Sequence, residues 1–130
     1  MERIADRANV LLDNIISFWK GLRDDENGGY YGYMSQALEL DKKAEKGCIL
    51  NSRILWFFSE AAMVTLREDL RKEADQAYEF LMRYCLDRTN GGVFWSVTYD
   101  GLILDATKHT YNQAFTIYAL ASYYLLTHKR

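Results

Sequence analysis

Apolar residues recur along the chain in two alternating styles. Ile4, Ala8, Leu11, Leu12, Ile15, Trp19 and Leu22 share one helical face, as do Leu70, Ala74, Ala77, Tyr78, Leu81 and Cys85, so two amphipathic, half-wet helices are predicted. Residues 49–66 and 114–126 read differently. In the first of these, Ile49, Leu50, Ile54, Leu55, Trp56, Phe57, Phe58, Ala61, Ala62 and Val64 cover nearly the whole helix circumference, the pattern of an interior helix. Each interior helix follows a Gly-Gly turn and short aromatic runs that read as small strands.

The chain repeats itself. Asn27–Tyr33 recurs as Asn90–Ser96 and Asn51–Trp56 as Gln113–Tyr118, at offsets of about 63 and 62 residues. That is far longer than the roughly 34-residue period of tetratricopeptide or ankyrin arrays. Each unit is helix, Gly-Gly turn with a short β-hairpin, helix, and the units run from about 1–66 and 67–130. Amphipathic outer helices alternating with buried inner ones predict an all-α, toroidal arrangement of four helices in a single domain. The glycines of Asn27-Gly28-Gly29 and Asn90-Gly91-Gly92 supply positive φ at hairpin punctuation. Neither triplet is a phosphate cradle, because an aromatic segment follows instead of a helix N-terminus.

One residue breaks the pattern. Arg53 stands in the apolar run of the first inner helix, near an N-terminus where the helix dipole disfavours a cation. A buried guanidinium must be paired or face a wet cavity. Two readings stay open: an anion or oxygen-rich ligand in a pocket, or a structural ion pair with Glu60 or an acidic loop residue.

Composition narrows the classes. The 130 residues are 49% hydrophobic and 15% aromatic, enough for one core, with no Pro- or Ser-rich linker. Sixteen basic and eighteen acidic residues interleave to a net charge of −2, which offers no field for nucleic acid or an anionic membrane. No run of about 18 apolar residues exists and the N-terminus is charged, so the cytoplasm is the expected compartment. Cys48 and Cys85 sit singly on apolar faces and read as core fillers. Asp24, Asp25 and Glu26 lack the alternating ligand spacing of a calcium loop and read as a solvated turn. No metal site, Ser-His-Asp order or carboxylate pair on an inner helix can be assembled.

The runs Leu22–Tyr33, Leu40–Gly47, Leu50–Trp56, Gly91–Trp95 and Lys108–Phe115, in this order, closely resemble the N-terminal part of cellobiose 2-epimerases of the N-acylglucosamine 2-epimerase superfamily. The resemblance implies an (α/α)6 barrel of six outer and six inner helices, of which this chain supplies two repeats as an incomplete toroid. It implies a sugar pocket at one rim and epimerisation at C2 of a reducing-end glucose through an enediolate, without cofactor or metal. In the family two histidines in later repeats exchange the proton. This chain has only His109 and His128, neither matching those positions, so activity of the chain alone is not expected.

By the same resemblance Arg53 matches an active-site arginine that holds substrate oxygens and stabilises enediolate charge, and Tyr111 matches an aromatic at the sugar pocket. The bland alternative for Tyr111 is an ordinary packed ring with a satisfied hydroxyl. His109 reads as a helix-start residue, since no carboxylate or second histidine is spaced to tune it. Tyr30, Tyr31, Tyr33, Phe94, Trp95 and Tyr99 either seal one end of the toroid or offer flat faces to a sugar. The implied partner is a disaccharide or monosaccharide. A ring cut after two of six repeats also exposes apolar helix flanks that favour self-association. A non-catalytic repeat module that binds sugar weakly, or an N-acylglucosamine or mannose-type isomerase, are the competing functional readings.

Overall fold

A computed structural model describes residues 3–128. Helix α1 spans Ile4–Lys20 and leads through the hairpin strands β1 (Tyr33–Met34) and β2 (Leu40–Asp41) to β3 (Lys46–Gly47) and helix α2 (Cys48–Thr65). Helix α3 (Glu68–Phe80) widens into a π-helical turn over Leu81–Cys85, and β4 (Ser96–Val97) and β5 (Ile103–Asp105) precede helix α4 (Thr110–Thr127). The four expected helices are present. The second inner helix begins four residues before Ala114, because the polar turn Thr110–Gln113 is helical as well.

The strands do more than close hairpins. β3 crosses out of its own repeat and pairs antiparallel with β4, Lys46 opposite Val97 and Gly47 opposite Ser96, and β4 pairs in turn with β5. The Cys48 N–H extends this ladder by donating to the Trp95 carbonyl at 2.9 Å. Adjacent repeats are therefore stitched through main-chain groups, independent of side-chain identity.

Helix α2 lies at the centre. Its Ile54, Leu55, Phe58, Ala61 and Ala62 join Leu70, Ala74, Ala77, Phe80 and Leu81 of α3 and its π turn, and Ala119 and Tyr123 of α4, in one core. Where α2 meets α4, Ser52 and Thr116 share a hydroxyl hydrogen bond of 2.9 Å, the Ser122 hydroxyl donates to Glu60 Oε1 at 2.7 Å, and Trp56 stacks on Tyr118. Helix α1 is less embedded and buries fully only Ile16. Ion pairs Lys20–Asp69 (3.0 Å) and Arg67–Asp13 (3.3 Å) tie it to the start of the second repeat.

The internal repeat extends to individual hydrogen bonds. Asp24 Oδ1 accepts from the N–H groups of Glu26 and Asn27, and Asp87 Oδ1 accepts from those of Thr89 and Asn90. Lys46 Nζ donates to Asp24 Oδ2 at 2.7 Å and to the Gly28 carbonyl at 2.8 Å; Lys108 Nζ donates to Asp87 Oδ2 at 2.7 Å and to the Gly91 carbonyl. The Tyr30 N–H donates to Asn51 Oδ1 and the Val93 N–H to Gln113 Oε1, which fastens each turn to the first turns of its inner helix. The acidic cluster is thus not a solvated turn. Asp25 and Glu26 are exposed, but Asp24 and Lys46 are both 0% exposed and bolt the turn from beneath. Burial alone would raise the Asp24 carboxyl, yet hydrogen bonds from Lys46, Asn27 and Glu26 hold it below its ordinary 3.8. The Lys108 hydrogen bond, chief among several, holds Asp87 well below the usual carboxylate range.

Glycine is required where the turn meets the core. Gly29 has φ +66° and a Cβ there would stand 2.6 Å from the Phe80 ring, while at Gly32 it would stand 1.8 Å from the Glu45 carbonyl oxygen. The two cysteines are buried, as expected, but they do not sit singly: burial, and then the neighbouring Cys48, push the Cys85 thiol well above its ordinary range. A thiol held protonated in this way is unreactive.

Candidate functional site

Arg53 is the sixth residue of α2, and its side chain is exposed. The expectation of a buried guanidinium is corrected. Helix α2 is apolar nearly all round because α3, α4 and the turns cover most of it, but the strip that carries Arg53 is left uncovered. Arg53 makes no ion pair among the described residues, and Glu60, its sequence-level alternative partner, takes the Ser122 hydroxyl instead. The guanidinium carbon lies 5.1 Å from the centre of the Phe115 ring. Its donors are consequently free, and its plane is steadied by an aromatic face.

Arg53 also lines a groove of about 320 Å³ with Trp19, Leu50, Ile54, Trp56 and Phe57. Five of these six walls are apolar, so the cation works beside low-dielectric surface, where its attraction for an anion is stronger than in open water. Trp56 stacks on Tyr118 at 5.8 Å, and its Nε1 is buried without a hydrogen-bond partner.

Tyr111 is the second residue of α4 and 54% exposed, so it is not an ordinary packed ring. It meets Phe115 edge-on, with ring centres 5.0 Å apart and planes inclined at 71°. Arg53 and Tyr111 therefore belong to one continuous surface, Arg53–Phe115–Tyr111, across the joint between repeats. Beside it the His109 ring tilts against Trp95 at 4.5 Å. His109 occupies the N-cap position of α4 without a side-chain capping bond, and His128 occupies the C-cap. Nineteen residues of helical rise separate them, roughly 28 Å. They cannot serve the two faces of one carbon atom.

Phe115 and Trp56 escaped the sequence reading. A signal for Phe115 was present: it is the repeat counterpart of Arg53 at the 62-residue offset, so one repeat supplies a cation and the next a ring at the same helical position. Among the described residues no group of three or more His, Cys, Asp or Glu side chains converges as a metal site, and no helix is long and apolar enough to cross a membrane. Chemically, the site combines an unpaired cation with indole, phenol and phenyl faces. That set suits a ligand bearing both oxygens and C–H surfaces.

The family model of N-acylglucosamine 2-epimerase matches residues 29–130. The chain is 59% identical over 117 residues to a cellobiose 2-epimerase of Eubacterium cellulosolvens, covering 90% of this chain and 29% of that protein. It is 55% identical over 121 residues to a cellobiose 2-epimerase of Ruminococcus albus, covering 93% and 31%. Among solved structures, a sugar epimerase from a ruminal bacterium superposes with a TM-score of 0.87 at 56% identity, over 88% of this chain and 30% of that one. The cellobiose 2-epimerase of Spirochaeta thermophila gives 0.91 at 37% identity, over 97% and 31%. The chain spans about 30% of the length of these relatives.

Proposed function

Because this chain belongs to the N-acylglucosamine 2-epimerase family, we propose that it forms two repeats, about 1–66 and 67–130, of an (α/α)6 toroid and carries one wall of a cytoplasmic epimerase sugar site. The substrate class is a β-1,4-linked disaccharide such as cellobiose, whose reducing-end glucose is converted to mannose. The observation that carries this reading is the unpaired Arg53 guanidinium, held over Phe115 beside the exposed Tyr111 ring.

The chemistry follows from the groups present. Removing the proton at C2 of the opened sugar leaves negative charge on the enediolate oxygens. A cation whose donors are already free and oriented stabilises that charge at little reorganisation cost. The Tyr111 ring, projecting from the start of α4, is placed to flank the sugar and limit its orientations. Proton transfer falls to groups outside this chain, since His109 and His128 cap opposite ends of one helix.

The spacing of the histidines favours a second reading in which the chain alone binds sugar without turning it over. Both are tested by incubating cellobiose, mannose and N-acetylglucosamine with the chain and analysing the reducing ends, alongside a titration of cellobiose followed by the NMR signals of Arg53 and Tyr111. Binding at these residues without product supports the proposed division of labour. Mannose formed by the chain alone would contradict it, and the absence of any Arg53 response would remove the site.

A further inference from the structure

Helices α2 and α4 meet in layers of repeat-equivalent residues. Arg53 lies over Phe115 at 5.1 Å, Trp56 stacks on Tyr118 at 5.8 Å with planes 25° apart, and Glu60 Oε1 takes the Ser122 hydroxyl at 2.7 Å. The partners in all three layers stand 62 residues apart. Spacings of three and four residues put the layers on one face of each helix, so α2 and α4 run parallel and in register. By helical rise the Trp56–Tyr118 layer lies about 4.5 Å below Arg53–Phe115, and the Glu60–Ser122 layer about 6 Å below that.

The strip these layers form is open for a reason internal to the chain. Helix α3 closes the other side of the same joint, where Tyr78 stacks on Tyr123 at 4.4 Å and Ala119 and Tyr123 are buried. A further repeat of this kind adds an inner helix beside α2 or α4, as α4 stands beside α2, and not across the strip between them. Tyr118 stays 56% exposed although its ring is stacked, so one face is committed to Trp56 and the rest is free. Trp56 in turn shares a groove with Arg53.

We propose that the stacked Trp56–Tyr118 pair is the floor of the sugar site, on which the C–H surface of the glucose unit rests while Arg53 meets its oxygens. The inference rests on the reading of Arg53 as a sugar-binding residue and adds the two residues that fix how deep the glucose unit sits. A hexose carries hydroxyls around its edge and C–H groups on its faces. Two rings already held against each other offer such a face a flat apolar surface that loses little freedom on binding. Arg53 at one end of the strip and Glu60 at the other then bracket the platform with a donor and an acceptor, over about 10.5 Å of helical rise. Glu60 is oriented for this by the Ser122 hydroxyl.

The test is a titration of the full chain with cellobiose, followed by the NMR signals of Arg53 and of the indole N–H groups. The chain has three tryptophans, and the buried Trp56 Nε1 has no acceptor among the described residues, so its signal reports a polar atom brought beside the ring. Arg53 and Trp56 are expected to respond together. Tyr118→Ala should weaken binding about tenfold, the scale of one aromatic contact, whereas Tyr118→Phe keeps the ring and should bind as the wild type does. Ile117→Ala, at a 69% exposed position about 100° round the helix, is the control that should change nothing. Circular dichroism checks that each variant is folded; if Tyr118→Ala is not, Tyr118→Phe and the Trp56 signal still decide. An Arg53 response with Trp56 silent, with Tyr118→Ala binding normally, or with Tyr118→Phe as weak as Tyr118→Ala overturns the floor and leaves the reading of Arg53 standing. No response at either residue removes both.

Discussion

The guanidinium of Arg53 rests over the ring of Phe115, 5.1 Å from its centre, and the two residues occupy the same position in successive repeats. The repeat presents one helical position twice, as a cation in the first unit and as its aromatic platform in the second. The contact spans α2 and α4 at the joint that also carries Ser52, Thr116, Glu60 and Ser122.

Arg53→Ala is expected to leave folding nearly intact. The residue is exposed and lacks an ion pair, and a cation–π contact of this kind contributes about 0.5–1 kcal/mol. Sugar binding should be lost outright. Thermal melting beside an NMR titration with cellobiose separates the two; a large drop in melting temperature with binding retained would show a purely structural arginine.

Lys46→Met should destabilise strongly. It leaves the Asp24 carboxylate and the Gly28 carbonyl without their buried ammonium, and breaking one side of a fully buried pair costs about 3–5 kcal/mol. Lys108→Met removes the equivalent bolt of the second repeat, but there the lysine side chain is 31% exposed and water can replace it. Urea unfolding of both variants should rank Lys46 well above Lys108, and equal losses would contradict the burial argument.

Acid sensitivity follows from the same bolts and from Asp69, which Arg67 and Lys20 hold. Asp24, Asp69 and Asp87 are all held below their ordinary 3.8 in the folded chain, so the unfolded chain binds protons first as pH falls. Their stabilisation is complete above that value and is lost as pH drops beneath it. Urea midpoints should be flat between neutrality and mild acid, then fall steeply below about pH 4. Asp87→Asn should flatten that fall; an unchanged acid limb would exclude Asp87 as a contributor.

Two glycines should respond unequally to alanine. Gly91 has φ +77° but open space around it, so Gly91→Ala is expected to cost only the left-handed backbone penalty, about 1–2 kcal/mol. Gly32 faces the Glu45 carbonyl oxygen, and Gly32→Ala forces strand β3 to move, at more than that penalty. Comparing the denaturation midpoints of the two variants checks the order.

Much of the architecture was legible because burial has a period. The outer faces led by Leu11 and Leu70 and the dense run through Leu55 and Phe58 marked outer and inner helices, and the Gly-Gly turns fixed the repeat. Periodicity reports how apolar a helix is, however, and not which strip its neighbours leave open. Hence Arg53 was expected to be buried when it is exposed. Likewise the partner of Asp24 lies 22 residues away at Lys46, on a strand of two residues, and no local pattern distinguishes it from its exposed neighbours Lys42 and Lys43. The strand that leaves one repeat for the next was equally hidden, because pairing between distant two-residue segments carries no composition signal. Tyr111 needed the resemblance to mark it, and Phe115 needed the fold.

The crossing of β3 onto β4 has an evolutionary consequence. Peptide groups are common to every residue, so the hydrogen bonds of this strand pairing do not depend on which side chains flank them, although Lys46 and Val97 on the same strands are fixed by their burial. The exposed side chains of the inner helices, Arg53 and Tyr111 among them, take no part in those bonds, so the chemistry of that wall can differ without unpicking the strands that join the two units.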